Sequence, residues 1–296
     1  MERVDWLLDA LDSLRIQTKP PIEIILVFDK NDGLEDTLNR KVTSTVLKIP
    51  NKAGYGLSMA RNTGVDIATG EIVAFLDDDA VAEPDWLEQL VRPYIDSVVV
   101  GVGGKAVPDW LKGERPFWFP EELDWVTGCT HAGFQDGRRV VRNVFGCNMS
   151  FRKTRLVEIG GFDSRLGGPI SGDDTDICLR ITQGNGGWQI IYEPEAVIHH
   201  KIPRQRRSLK YIANSSWKQG VGKAVTRIIH KKDNRALASE KSYLKHLIFK
   251  FIPRQMHEVF RHPLNTSGHI ISVITVIISM GTGYVVTIFN VRRKRN

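Results

Sequence analysis

Apolar and polar positions switch between two periods over the first two hundred residues. Residues 4–17, VDWLLDALDSLRIQ, space their apolar side chains three and four apart, which predicts a helix with one buried face. IEIILVFD (22–29) is a compact apolar run ending on Asp and predicts a strand, and STVLKIP (44–50) predicts a second. LSMARNTGVDIA (57–68) returns to helical spacing, approached through Gly54, Gly56 and Ser58. EIVAFLDDD (71–79) predicts a third strand, PDWLEQLVRPYI (84–95) a helix with Pro84 near its first turn, and VVVGVGGKAV (98–107) a fourth strand. VRNVFGCNMSFRK (141–153) is strand-like, and TRLVEIGGFD (154–163) is a short helix closed by glycines. TDICLRITQGNG (175–186) reads as a helix and WQIIYEP (188–194) as a strand. Strand–helix alternation of this kind predicts an α/β domain with right-handed crossovers and a mostly parallel sheet.

Two regions break the rhythm. Residues 108–135 carry Trp110, Trp118 and Trp125 with Phe117, Phe119 and Phe134. Near the other end, residues 270–289, IISVITVIISMGTGYVVTIF, contain no charge and are about as long as a bilayer-crossing helix, ~20 residues. RRKR follows at 292–295, and KSYLKHLIFKFIPRQMHEVF (241–260) mixes Leu, Ile and Phe with Lys and Arg as an interfacial helix does. A single span under a cytosolic domain sets the terminal basic cluster against the positive-inside tendency. A break at Gly281-Thr282-Gly283 offers two half-helices that enter and leave one face, and both arrangements stay open. The expected division is 1–203 for the α/β domain, 204–262 for a basic helical interface region and 263–296 for the apolar segment with its tail.

Charge sharpens this division. Of the 41 Lys+Arg and 34 Asp+Glu, residues 201–296 hold 20 of the former and 3 of the latter, so the net +7 conceals an acidic first part and a basic last third. Such a third calls for an anionic partner, and the adjoining uncharged run selects a membrane rather than nucleic acid. Cys129, Cys147 and Cys178 are odd in number and lack metal-ligand spacing, which reads as buried thiols in a reducing compartment. The opening MERVDWLLDALDSL is amphipathic and acidic, without the apolar centre of a secretory leader.

The chemistry concentrates in acidic clusters. Asp77, Asp78 and Asp79 follow the strand EIVAFL, at the end of a strand where open α/β sheets bind ligands. Adjacent carboxylates need a counter-charge, and Mg²⁺ or Mn²⁺ supplies one while sharing the site with phosphates. Asp77 and Asp79 are two apart, so on extended chain they face one side. The bland alternative is an acidic turn capping the next helix. The stretch NKAGYGLSMARNTG (51–64) sets a glycine-rich turn before a helix bearing Arg61, a place suited to anions. A second cluster, GDDTD (172–176), begins a helix and serves either as a cap or as a source of a general base. In VIHHKIPRQRR (197–207), His199 or His200 is a metal ligand or a strand-end histidine; His199 is carried forward as the candidate. Arg204, Arg206 and Arg207 grip phosphate or face solvent or lipid headgroups.

In order and spacing, these pieces resemble family 2 glycosyltransferases of the GT-A fold. The matching segments are ILVFDKND (25–32), ARNTG (60–64), GEIVAFLDDDAVAEPDWL (70–87), CNMSFRK (147–153), GGFD (160–163) and GDDTDICLRI (172–181). The resemblance implies a nucleotide-sugar donor, a divalent metal and inversion at the anomeric carbon. It places Asp29 on the base or ribose, Arg61 on the nucleotide, Asp77 on ribose or diphosphate beside Asp78, and Asp79 on the metal with Asp77. Asp174 matches the catalytic base, and Asp173 stands where the family often has Glu, so the role falls to one or other of the pair. The stretch from Pro108, with VRNVFGCNMSFR, VIHHKIP and YIANSSWKQGVGKA (211–224), is similar to archaeal enzymes that extend a sugar on dolichyl phosphate with glucuronate. This implies a UDP-linked donor, a lipid-linked acceptor near Trp110, Trp125, Asn148, Arg204 and Arg207, and a cell membrane whose cytoplasmic face the catalytic domain meets. Tryptophans packed into a core are the alternative for the aromatic stretch. Family members usually begin with a strand before the first helix, and this chain opens at the helix, so the expectation is a central sheet one strand short. The competing classes are a sugar-phosphate nucleotidyltransferase, whose basic glycine loop after the first strand is not seen, and a membrane-bound glycan-binding module.

Overall fold

The computed structural model describes residues 2–29, 34–51, 55–111, 113–132, 134, 137–168, 170–184, 186–231, 233 and 238–293. The expectations placed on 30–32, Gly54 and 294–295 lie outside these residues. The chain divides into two units, one of Met1–Ala106, Gly137–Gly168 and Asp173–His200, the other of Val107–Asp136, Pro169–Gly172 and Lys201–Asn296. The aromatic stretch thus groups with the C-terminal helices, which lie in a single unit.

In the first unit the alternation becomes α1 (Glu2–Arg15), β1 (Ile24–Phe28), α2 (Leu34–Lys41), β2 (Val46–Pro50), α3 (Leu57–Ile67) and β3 (Ile72–Leu76). Then come β4 (Ala80–Ala82), α4 (Trp86–Val91), β5 (Val99–Asp109), β6 (Arg139–Val141), β7 (Asn148–Arg152), α5 (Lys153–Glu158), α6 (Asp173–Ile181) and β8 (Gln189–Lys201). The α/β class stands, and the sheet is mixed rather than mostly parallel. β1 and β2 pair in parallel as a separate ladder. The larger sheet runs β3-β7-β5-β8-β4 with β6 on β8, and its β3–β7, β5–β7, β4–β8 and β6–β8 ladders are antiparallel. The correction has a local cause. β4 is three residues long, β7 follows β6 with no helix between them and runs antiparallel to β3 and β5, and β8, although it follows α6, runs antiparallel to β4 and β6.

The apolar runs supply two cores. Leu11, Phe28, Leu38, Val42 and Val46 join α1 and α2 to the β1–β2 ladder. Val65, Val100, Met149, Phe151, Leu156, Ile177, Ile181 and Ile190 bury the faces of α3, α5 and α6 against the larger sheet. Phe75 meets Phe162 edge-on with ring centroids 5.3 Å apart, fixing the strand that leads to the acid triplet.

The second unit contains α7 (Leu209–Ile229), α8 (Ala238–His246), a π-helical turn Leu247–Phe251, α9 (Ile252–Glu258) and α10 (Pro263–Arg293). Phe119, Leu123, Val126, Ile212, Phe251, Val273 and Val276 form its core, and Trp110, Trp118 and Trp125 pack against it. α10 is continuous through Gly281–Gly283, so the half-helix alternative does not apply. α7 lies along α10 at backbone distance. A Cβ on Gly220 would overlap the Met280 carbonyl, and one on Gly283 would overlap that of Trp217. The two contacts step in opposite directions along the helices, so the pair is antiparallel. Arg254 grips buried Glu122 through two hydrogen bonds of 2.9 and 3.1 Å, and Arg115 does the same for Asp124. Burial pushes the Asp124 carboxyl up to about 6, against the pull of the Arg115 guanidinium.

Candidate active site

The triplet follows β3 directly, and β4 begins one residue later, so Asp77–Asp79 form the tight link between two strands. β4 pairs with β8 so that Ala80 lies opposite His200 and Val81 opposite His199. Successive strand side chains point to opposite faces, and the two histidines therefore part. His200 Nε2 lies 3.1 Å from Asp79 Oδ1, with both groups almost fully buried. His199 Nε2 lies 2.6 Å from Glu83 Oε1 at the surface. This corrects the histidine assignment: alternation along β8 turns His199 away from the acids and brings His200 in. Ligand atoms of Asp77, Asp79 and His200 all fall within 4.8 Å of one another. Two carboxylate oxygens and an imidazole nitrogen form a donor set that a divalent transition cation accepts.

The middle carboxylate has another partner. Asp78 receives hydrogen bonds of 2.7 and 3.2 Å from the Arg3 guanidinium on α1. That hydrogen bond, helped by the charges of Asp79 and Asp77, holds the Arg3 proton even above its usual range.

Arg61 joins the triplet to the second acidic cluster. Its helix α3 carries it, 7% exposed, to where one nitrogen bonds Asp173 and another lies 3.4 Å from Asp77 and 3.0 Å from the Gly146 carbonyl. Its guanidinium sits 5.5 Å from the Phe162 ring centre. The three acids of GDDTD then separate by environment. Asp173 is buried on Arg61. Asp176 is buried on Arg180 at 2.8 Å, and Arg180 also holds the Ile159 and Gly161 carbonyls, so that pair ties α6 to the preceding turn. Asp174 is only half-buried in the first turn of α6, where its carboxylate accepts from the Thr175 amide at 2.6 Å.

Asp29, just past β1, accepts from Asn51 Nδ2 at 2.7 Å and from the Gly56 amide at 3.2 Å. Gly56 has φ +114°, a backbone state closed to most side chains, which lets its amide face the carboxylate. Thr63 steadies Asn51 from α3 at 3.2 Å. Asp29, Arg61, Asp77 and Asp173 thus all hang on α3 or the turn that precedes it.

Several expected acceptor residues have other work. Asn148 is fully buried; it accepts from Trp86 Nε1 at 2.8 Å and donates to Lys105 and Ala196 carbonyls at 3.1 and 2.9 Å. Its polar capacity is consumed inside the sheet, which removes it from the acceptor set. In the second unit, Arg207 donates to the Leu111 and Ile202 carbonyls and lies over the Trp110 ring, so it fastens backbone. Arg204 is exposed. Trp110 meets Phe119 edge-on at 5.4 Å, and Trp125 meets Tyr243 likewise at 5.8 Å. A surface cavity of about 410 Å³ is lined by Phe28, Glu35, Leu38 and residues 44–48, and none of the candidate residues borders it.

Sequence reasoning did not single out Arg3 or Asn51, and it weighed Glu83 only as a cap for the helix after the triplet. The signal for His200 was present in the two-residue alternation, once the strand is extended through VIHHK.

Comparisons with known proteins point the same way. A family model described as glycosyl transferase family 2 matches residues 2–159. The chain is 32% identical over 295 residues to a glucosyl-dolichyl phosphate glucuronosyltransferase of Haloferax volcanii, covering 96% of this chain and 92% of that protein. A pre-mycofactocin glycosyltransferase of Mycobacterium tuberculosis is 31% identical over 51% of this chain and 31% of its own length. Among solved structures, a mannosyltransferase of Pyrobaculum calidifontis in complex with GDP-Man and Mn²⁺ superposes with TM-score 0.63 at 17% identity, covering 95% of this chain and 83% of that one. GalNAc-T7 with UDP, GalNAc and Mn²⁺ gives TM-score 0.51 at 16% identity, over 85% and 55%.

Proposed function

The chain belongs to glycosyl transferase family 2 and has the GT-A fold, and from that premise we propose an inverting transfer of sugar from a nucleotide diphosphate sugar to a lipid-linked acceptor. The observation that carries the reading is Arg61, which touches Asp77 and Asp173 and so draws both acidic clusters to one place. The name of the Haloferax relative supports UDP-glucuronate as donor and a dolichyl-phosphate-linked glucose as acceptor. The basic last third and the long apolar helix support a seat at a membrane, and the proposal puts the catalytic unit on its cytoplasmic side.

Each residue has a task in this reading. Asp29, fixed by Asn51 and Gly56, holds the base or ribose. Asp77, Asp79 and His200 hold a divalent cation, and the imidazole in the set favours Mn²⁺ over Mg²⁺, which prefers oxygen alone. Such a cation, when bound, neutralises charge that develops on the departing diphosphate. Arg61 fixes Asp173 and Asp77 relative to each other and adds a buried positive charge. Asp174, half-buried in the first turn of α6 and the residue that matches the family's base, takes the proton of the acceptor hydroxyl. Single displacement at the anomeric carbon then inverts it.

The test is UDP release by the purified chain with a glucosylated lipid-phosphate acceptor, with and without Mn²⁺. Release that needs both acceptor and metal is expected. Acceptor binding without release would favour the glycan-binding alternative and defeat the proposal.

A further inference from the structure

Residues Pro263–Val291 form a helix long and apolar enough to cross a bilayer, with 22% of its most apolar window buried. Ile271, Ile274, Ile278, Val285 and Phe289 are exposed and recur on one face. Taken alone, α10 reads as a span. Its neighbour argues against that. The Gly220–Met280 and Gly283–Trp217 approaches set the middle of α7 level with the middle of the apolar run. Lys218 is exposed on that turn of α7, and Lys223, paired with Glu240, and Arg227 lie on the next two turns. A bilayer-crossing α10 would carry these cations to hydrocarbon depth, where an ammonium is costly and polar groups lack partners. A helix lying flat has no such conflict: its isoleucine face meets acyl chains while the cations stay among headgroups and water.

The preceding segment has matching chemistry. Ile248, Phe249, Met256 and Phe260 are exposed between Lys245, Lys250, Arg254 and Arg261. From residue 241 to 296 there are nine Lys+Arg and one acid, Glu258. A symmetric pair of chains would set this surface against its own copy, like charge on like. An anionic lipid surface complements it.

We propose that α10 does not cross the membrane but lies in its plane, so that the C-terminal unit is a monotopic seat on an anionic bilayer. The proposal rests on the membrane reading above and adds its topology. Buried native cysteines leave engineered thiols as the reactive ones. The variants Ile271→Cys, Ile278→Cys and Phe289→Cys, labelled with NBD, are added in dilute detergent to preformed phosphatidylcholine–phosphatidylglycerol vesicles, so that protein enters from outside only. External dithionite is expected to reduce all three probes, and lipid-borne quenchers to report one shallow depth. A probe at 271 or 289 protected from dithionite, or a depth gradient centred on 278, overturns the proposal. Binding is also expected to be at least ~10-fold tighter with phosphatidylglycerol than without; equal binding overturns the electrostatic part. Failure to float with any vesicle, with dimers in solution, overturns seating and membrane reading together. Metal-dependent transfer in detergent reports on the reaction separately, so a misassigned topology and a misassigned reaction are distinguishable.

Discussion

Two aspartates separate chemistry from architecture. Asp79→Ala removes a carboxylate from the Asp77–Asp79–His200 group, and Asp174→Asn removes the base while keeping its shape. Each is expected to lower turnover ~10²–10⁴-fold on the general acid–base scale, with an unchanged circular dichroism spectrum. Near-normal rates in both would dissolve the assignment. Arg61 belongs to both categories, because its removal strands buried Asp173. Arg61→Ala is expected to cost ~3–5 kcal/mol of stability as well as activity, measured by urea denaturation, whereas Asp79→Ala leaves stability nearer the parent. Arg61→Lys keeps the charge but cannot reach Asp173, Asp77 and Gly146 together, and falls between the two.

At the scale of elements, Glu23 clamps the starts of two strands. Its carboxylate accepts from the Thr69 amide at 2.6 Å, the Thr69 hydroxyl at 2.8 Å and the Gly70 amide at 3.3 Å, just before β3, while β1 follows it. These bonds, led by the Thr69 amide, hold its pKa below the ordinary value. A depressed carboxylate contributes stability above its unfolded pKa and loses it as pH falls through the folded one. Glu23→Gln is therefore expected to be slightly less stable at pH 7, and the difference should vanish in acid below the folded pKa; a constant gap from pH 7 to acid would refute this. In the second unit, Gly220→Val forces a side chain into the Met280 backbone and is expected to cost at least ~1–3 kcal/mol, read as a lower thermal midpoint. Elements were legible where the period was long and uninterrupted, as in α1, α3 and β3. β4 escaped because three residues carry no period, and its partner β8 was cut short at Pro194 because proline marks strand ends. The extended β8 is what turns His200, and not His199, toward Asp77 and Asp79, so the shortened strand and the choice of histidine share one cause. Asn148 was misjudged because a motif names a residue without saying which way its amide faces.

At the scale of the whole molecule, charge is the property the sequence states most clearly. Residues 201–296 hold 20 Lys+Arg against 3 Asp+Glu. Raising salt from 0.1 to 1 M shortens the screening length from ~10 to ~3 Å, so vesicle binding is expected to weaken markedly yet persist through the apolar face, as measured by flotation. Complete salt release would leave that face without a role. The placement of the three thiols has a further use. Cys147 and Cys178 are buried in the first unit and Cys129 in the second, and burial pushes the Cys178 thiol up to about 12. A thiol reacts only as exposed thiolate, so an aqueous alkylating reagent marks each cysteine only when its surroundings open. Mass spectrometry of the alkylated peptides then becomes a clock with two hands, timing the loosening of each half of the protein without any added label.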